Sequence, residues 1–331
     1  MDRAARISYL LIAGLFLVVG WLHMSVLLLT VLFSYFALER LSFGRWKWLA
    51  VVLFLVVVAG LAYGTYFFVK QAYVEIPKIA HTTIPKVIEF AEKQRIELPF
   101  SDYASLKNLA LETVTEKWAN LGKYATTMMT VVAAFIIGVV VAISLFLTTQ
   151  VNLGETEDAV KDNLYSAIGA EILNRFRTFY ASFATVMGAQ LLISLINTVL
   201  TAVFLLGTGF RFASVIIVLT FVCGLLPVIG NLISNTLIAC VALTVSPKLA
   251  GFALAFLITI HKFEYFLNSK IIGSRIKNPM WLTLLGLLLG EKLMGIPGMI
   301  LAPVVLHYIK VEASRRTMGG SAPAAGSPAT P

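Results

Sequence analysis

The sequence predicts an all-α polytopic membrane protein, and three observations carry that expectation. Apolar residues make up 59% of the 331-residue chain and charged residues 13%, whereas soluble domains hold roughly 45–50% and 25%. The excess is laid out in blocks, at 7–38, 48–69, 126–149, 180–207, 212–245, 249–267 and 280–309, most of them meeting the roughly 20 residues that a helix needs to cross hydrocarbon. The runs are also continuous, whereas a β-barrel would read as short segments of alternating polarity. With the first block folded in two, this makes about 8 hydrophobic segments, including an N-terminal helical hairpin and two broken, re-entrant hairpins near the C-terminus.

The formal charge of +9 does not form a nucleic-acid-binding stripe. The basic residues gather where helices leave the membrane, at Arg3/Arg6, Arg40/Arg45/Lys47, Lys270/Arg275/Lys277 and Lys310/Arg315/Arg316, the distribution that marks the cytoplasmic side. Cys223 and Cys240 share one apolar block without metal-ligand spacing. Neither a disulfide framework nor a metal site is expected, and no cofactor motif is present.

Residues 1–69 read as a transmembrane hairpin plus one helix. Block 7–38 is too long for one crossing and short for two, because its ~32 residues reach ~48 Å against a ~30 Å core. A tight hairpin turning near Gly20–His23 fits, with both flanks basic. The start resembles a signal peptide, but the apolar run is too long for one and no small-residue cleavage site follows, so retention is expected. His23 reads as an interfacial residue, because no second His or carboxylate stands nearby. In 48–69, Trp46 and Trp48 are interfacial anchors. Gly60 and Gly64, four apart on one helix face, permit close helix packing.

Residues 70–125 are polar and of mixed charge, with apolar residues at helical spacing (Ile84, Val87, Ile88, Ala91; Leu106, Ala110, Val114, Leu121) and a break at "LPFSDY". They predict two amphipathic helices outside the cytoplasm, capping the bundle. Residues 126–150 form a transmembrane helix returning inward. Segment 151–179 is a cytoplasmic amphipathic stretch, acidic at its start (Glu155, Glu157, Asp158, Asp162) and basic at its end (Arg175, Arg177), an order that complements a helix dipole.

The transport core is expected at 180–310. Gln190 and Asn197, seven apart, share a helix face and suit interhelical hydrogen bonds. Block 212–245 divides at "LLPVIGN" into two arms of about 15 residues, each ~22 Å long and short of the ~30 Å core. Block 280–309 divides likewise at "GEKLMGIPG". Charge decides between crossing and turning back: only if both broken segments turn back do the basic loop 268–279 and the basic C-terminus lie inside with the N-terminus. The tail after 310, ending in "GGSAPAAGSPATP", is small and polar in composition and expected to be disordered.

Non-helical backbone at membrane depth is tolerated where protein buries it or water bathes it, and paired broken segments point to a transporter's site. The candidate path residues are therefore Pro227, Gly230, Asn231 and Asn235 at the first break, with Glu291, Lys292, Gly295 and Gly298 at the second. Glu291 and Lys292 equally suit pairing with each other or facing cytoplasmic water. Glu264 and Asn268, one turn apart near the end of 249–267 with His261 one turn earlier, suit either a proton or cation path or, equally, an interfacial charge pair with Lys262 or Lys270. Gly286 and Gly290, four apart, would let the second hairpin pack closely.

On these segments the chain resembles the AI-2E family of bacterial membrane proteins. The likeness rests on "GAQLLISLIN", "GLLPVIGN", "FEYFLNSKIIGSRIKNPMW" and "GEKLMGIPGMILAPVV", in that order. Ser269, Asn278 and Glu291 depart from residues common in the family, and Ala302 and Pro303 are adjacent rather than separated. The resemblance implies a multi-pass protein of the bacterial inner membrane that moves a small polar solute such as a quorum-sensing signal, or exchanges sodium for protons, as a homo-oligomer. A non-transporting scaffold is the alternative. Intramembrane proteolysis or hydrolysis finds no support, because no paired intramembrane Asp, HExxH or GxSxG occurs.

Overall fold

The computed structural model describes residues 3–42, 46–93, 125–148, 163–210, 212–226, 229–271 and 279–315, with positions 108 and 112. Among these the secondary structure is helical: α1 Arg3–Trp21, α2 Ser25–Leu41, α3 Lys47–Lys93, α4 Ala125–Leu147, α5 Leu164–Gly207, α6 Ala213–Gly224, α7 Ile229–Val245, α8 Pro247–Ile271 and α9 Met280–Ser314. Five of them are long and apolar enough to cross a membrane. The chain is an all-α polytopic membrane protein.

The N-terminal block folds in two as expected. α1 ends at Trp21 and α2 begins at Ser25, with His23 in the left-handed region (φ 55°). The arms bury against different neighbours. α1 leans on α5 and α9, with Phe16 against Phe179 at 5.1 Å. α2 packs on α4, where Leu38 and Ala142 are fully buried in one cluster with Phe54 of α3.

Two helices run further than the polarity pattern suggests. α3 continues without a break through Pro77 and Pro85 to Lys93, so residues 70–93 extend the helix begun at Lys47 instead of starting a new one. Ile84, Val87, Ile88 and Ala91 keep that helix's register. Similarly, α5 joins the expected segments 151–179 and 180–207 from Leu164 onward. Its N-cap is Asn163, whose side chain accepts from the Ser166 amide at 2.8 Å. The dipole reading of Arg175 and Arg177 is therefore corrected: the helix runs on past them to Gly207, and both lie well inside it. Residues 94–107, 113–124, 149–162 and 316–331, on which the second amphipathic helix, the acidic start and the tail fall, lie outside the described residues.

α5, 44 residues long, serves as a spine of about 66 Å. Its first half carries the second arm of α9: Phe179 meets Tyr308 at 5.6 Å, and Phe183, Val186 and Met187 share a buried cluster with Ile300, Leu301 and Val304. Its second half carries α6 and α8. Ser194 Oγ donates to the Phe221 carbonyl at 2.9 Å and Gln190 Nε2 to the Gly224 carbonyl at 2.6 Å, while Phe204 stacks on Phe256 at 4.2 Å. The two broken segments thus approach from opposite ends of one helix. Their tips meet near its middle, where Leu226 packs against the cluster built by α9.

Both broken segments are hairpins. α6 and α7 lie side by side, joined at their base by Ile216, Ile238 and Val241, which form one core with Ile79 of α3 and Leu205 of α5. Although its 35 residues are counted as one helix, α9 breaks at Gly295 (φ 63°, ψ −146°), a conformation open to glycine alone. Beyond it the chain returns along itself, bringing Gly298 onto Gly290 and Leu306 onto Gly286.

Candidate functional site

A shielded carboxylate gathers residues from three helices. Asn231, two residues into α7, donates from Nδ2 to both oxygens of Glu264 on α8, at 2.6 and 2.7 Å. The side chain of Asn197 on α5 stands beside the same carboxylate. His261, one turn before Glu264, places Nδ1 3.8 Å from Oε2. The Glu264 side chain is only 14% exposed. A carboxylate so far removed from water needs donors or a counter-ion, and here the Asn231 amide is the leading donor, with His261 and then Asn197 beside it.

The local sequence explains the placement. Gln190, Ser194, Asn197 and Thr201 follow one another at spacings of four, three and four, which places them on one face of α5. The upper members bind backbone carbonyls at the end of α6, Asn197 reaches Glu264, and Thr201 is buried further along. The first hairpin is pinched at its tip: a Cβ on Gly230 would lie 1.6 Å from the Cys223 carbonyl oxygen, so only glycine admits the turn that brings Asn231 to Glu264. Ser234, one turn on and buried, turns its hydroxyl back to the Asn231 carbonyl at 3.3 Å.

The expected path residues divide into groups. Gly230, Asn231 and Glu264 come together, and Asn235 is half-buried one turn beyond Asn231. Pro227 lies outside the described residues, and Asn268 is placed on α8 only as backbone. At the second hairpin, Glu291 and Lys292 face each other at 3.7 Å with side chains 45% and 82% exposed, the mutual pairing that the sequence left open. Gly295 makes the tip. Gly290 and Gly298 make the arms' closest approach, since a Cβ on Gly298 would lie 2.0 Å from the Gly290 carbonyl oxygen. A Cβ on Gly60 or Gly64 would meet nothing within 4 Å, so their face is uncovered in the single chain. Gln190 makes the interhelical bond expected of it. Asn197, expected to serve packing alone, also belongs to the Glu264 group.

A family model described as the AI-2E family transporter matches residues 5–314. The chain belongs to the AI-2E transporter family. The match reaches from the first to the last of the helices described above. A curated protein named "Putative transport protein YdbI", from Bacillus subtilis (strain 168), is 27% identical over 188 residues, 55% of this chain and 54% of that protein. The chain therefore matches about half the length of this relative. Among the described residues, no group of three or more His, Cys, Asp or Glu stands close enough to hold a metal ion.

Proposed function

We propose that this AI-2E family protein moves a small polar solute, such as a quorum-sensing signal, or an ion across the bacterial cytoplasmic membrane. Its site is the polar seam between the tip of the first hairpin, α5 and α8. The observation that carries the reading is the Asn231–Glu264 contact: an ionisable side chain largely shielded from water, held by an amide that sits at a chain break. Intramembrane ionisable residues are costly and mark pathways, and broken helices supply the backbone polar groups that coordinate solutes. Both termini lie in the cytoplasm in this reading, and copies of the chain assemble through uncovered apolar faces such as that of Gly60 and Gly64.

Exchange of sodium for protons is the second reading, favoured by the shielded Glu264 carboxyl, which among the described residues meets amides and a histidine. Counterflow and ion-driven uptake in proteoliposomes, with a panel of polar solutes and imposed sodium or proton gradients, tests both. Absence of any flux across the panel, from protein of native size, would leave the scaffold alternative standing.

A further inference from the structure

Asn197 is 7% exposed and its side chain stands beside Glu264, and its Oδ1 is buried without a hydrogen-bond partner. A buried acceptor left unsatisfied costs free energy unless another state of the protein uses it. The neighbour able to supply a donor is Glu264, which as a carboxylate accepts only, and when protonated gains one O–H.

We infer that Glu264 is a proton-operated partner switch: as a carboxylate it holds Asn231 and with it the first hairpin, and as a carboxylic acid it donates to Asn197 Oδ1 on the spine and releases Asn231. The inference deepens the proposed transport role of this seam and rests on it. Two geometric facts set its direction. Asn231 Nδ2 binds both carboxylate oxygens, and protonation converts one of these acceptors into a donor, so this bidentate arrangement is lost. A half-turn of the Asn197 amide exchanges its oxygen and nitrogen, presenting the unused acceptor to the new O–H. The proton comes from water and no other bond changes.

His261 faces Glu264 from its own helix at 3.8 Å. α5 and α7 face it with the amides of Asn197 and Asn231, and neither 186–205 nor 213–245 contains an Asp, Glu, Lys, Arg or His. A protonated His261 therefore favours the latched carboxylate, and its loss should raise the pH at which the switch operates.

The first hairpin is also the one suited to move. Beyond its base, α6 and α7 are held by the Gln190, Ser194 and Asn231 hydrogen bonds. The second hairpin is fixed along α5 by aromatic packing and by the Arg175–Glu312 ion pair.

The test uses the full-length protein in lipid, with Cys223→Ala and Cys240→Ala and a spin label on a cysteine replacing the exposed Leu232. Infrared difference spectra across a pH titration report the carbonyl band of a protonated carboxyl, and the label reports hairpin mobility. The expected result is that acidification produces the band and raises label mobility with one midpoint. Glu264→Gln abolishes the band and leaves the label mobile at every pH. Asn231→Leu removes donors to the charged form, so the midpoint should rise by about one pH unit for a tenfold gain in proton affinity, while the band keeps its frequency. Asn197→Leu, which removes the acceptor for the new O–H, should shift the band to higher frequency. Asn231→Ala and Asn197→Ala serve where a leucine variant does not assemble. A band that persists in Glu264→Gln, a frequency indifferent to Asn197, or a label indifferent to pH each overturns the switch. Uptake by the same variants separates the two ideas. Lost uptake without the spectroscopic response retains the site and rejects the switch; the response with unchanged uptake retains the switch and rejects the transport role.

Discussion

Arg175 Nη1 donates to Glu312 Oε1 at 2.6 Å, tying the first third of α5 to the last turn of α9. The same guanidinium donates from Nε to Ser8 Oγ at 2.7 Å and from Nη2 to Glu171 Oε2 at 2.6 Å, and it lies 3.7 Å from the centre of the Tyr9 ring. Tyr9 adds its own hydroxyl to Glu312 at 2.7 Å. One side chain, 1% exposed, thus joins α1, α5 and α9 at the base of the second hairpin. A planar fork with fixed donors suits this role where an ammonium would not.

Removing Arg175 should accordingly be among the most damaging single changes. Arg175→Met leaves Glu312 and Ser8 facing an apolar side chain, and breaking a buried pair in this way costs about 3–5 kcal/mol. Arg175→Lys should recover only part of the loss, since one ammonium cannot reach three partners from one position. Thermal unfolding of the purified protein in detergent measures both. A melting temperature within error of the parent for Arg175→Met would remove the cluster from the account of stability.

The glycines divide by what surrounds them, and substitution should reveal it. Gly298→Ala puts a methyl within 2.0 Å of a backbone oxygen on the facing arm, which the antiparallel contact cannot absorb without opening the hairpin. The expected outcome is a large loss of protein that is monodisperse by size-exclusion chromatography. Gly64→Ala meets open space and should leave the stability of a single chain unchanged or slightly raised, because alanine favours helix by about 1 kcal/mol over glycine. Should Gly64→Ala instead change the oligomer's size, copies of the chain meet at that face.

Much of this architecture was legible in the sequence, for a physical reason. Hydrocarbon demands long apolar runs, and a turn at membrane depth demands proline or glycine, so "LLPVIGN" and "GEKLMGIPG" declared themselves as breaks, and Gly286 and Gly290 as a packing face. Charge on the flanks then favoured hairpins over crossings. Helix ends were less legible: polarity changes at Lys70 and near Tyr180 although the helices do not stop, because a helix leaving the membrane keeps its hydrogen bonds while its side chains change character. Long-range partners were hidden altogether. Nothing in the spacing of Arg175 shows that Glu312, 137 positions away, is its partner. Asn197 read as a packing amide because its other partner, Glu264, lies on a different helix.

The topology makes a prediction independent of the site. Single cysteines replacing Ser101 and Lys277, in a chain lacking Cys223 and Cys240, should react with an impermeant reagent from opposite sides of the membrane. Labelling of both from outside intact cells would mean that 212–245 crosses rather than turns back, and the two hairpins would no longer enter from opposite faces.

Glu291 and Glu264 should behave differently. Glu291 is half-exposed and paired with its own neighbour Lys292, so Glu291→Gln should leave the pH or ion dependence of uptake unchanged. Glu264 is shielded and bound by the Asn231 amide, with Asn197 of a third helix beside it, so Glu264→Gln should abolish that dependence while insertion and assembly persist. Initial uptake rates across a pH series, in proteoliposomes with matched protein content, compare the two. The reverse outcome would move the charge-bearing site to the second hairpin.

The tip of the first hairpin offers the sharpest test of the site. Asn231→Leu keeps similar volume but removes both hydrogen-bonding functions, leaving the Glu264 carboxylate short of two donor contacts; uptake should fall at least tenfold with expression and detergent-solubilised size unchanged. Gly230→Leu should be worse and should also reduce the yield of folded protein, because even a Cβ there would overlap the Cys223 carbonyl and force the arms apart. Asn231→Asp separates geometry from charge. It preserves shape but sets two carboxyl groups against each other, and such a pair cannot both ionise without a shared proton or cation. Uptake by Asn231→Asp should therefore be lost at alkaline pH and partly regained at acid pH, whereas Asn231→Leu should stay inactive throughout. If Asn231→Leu, Asn231→Asp and the parent transport alike at every pH, the amide–carboxylate contact only packs the helices, and the solute passes elsewhere in the fold.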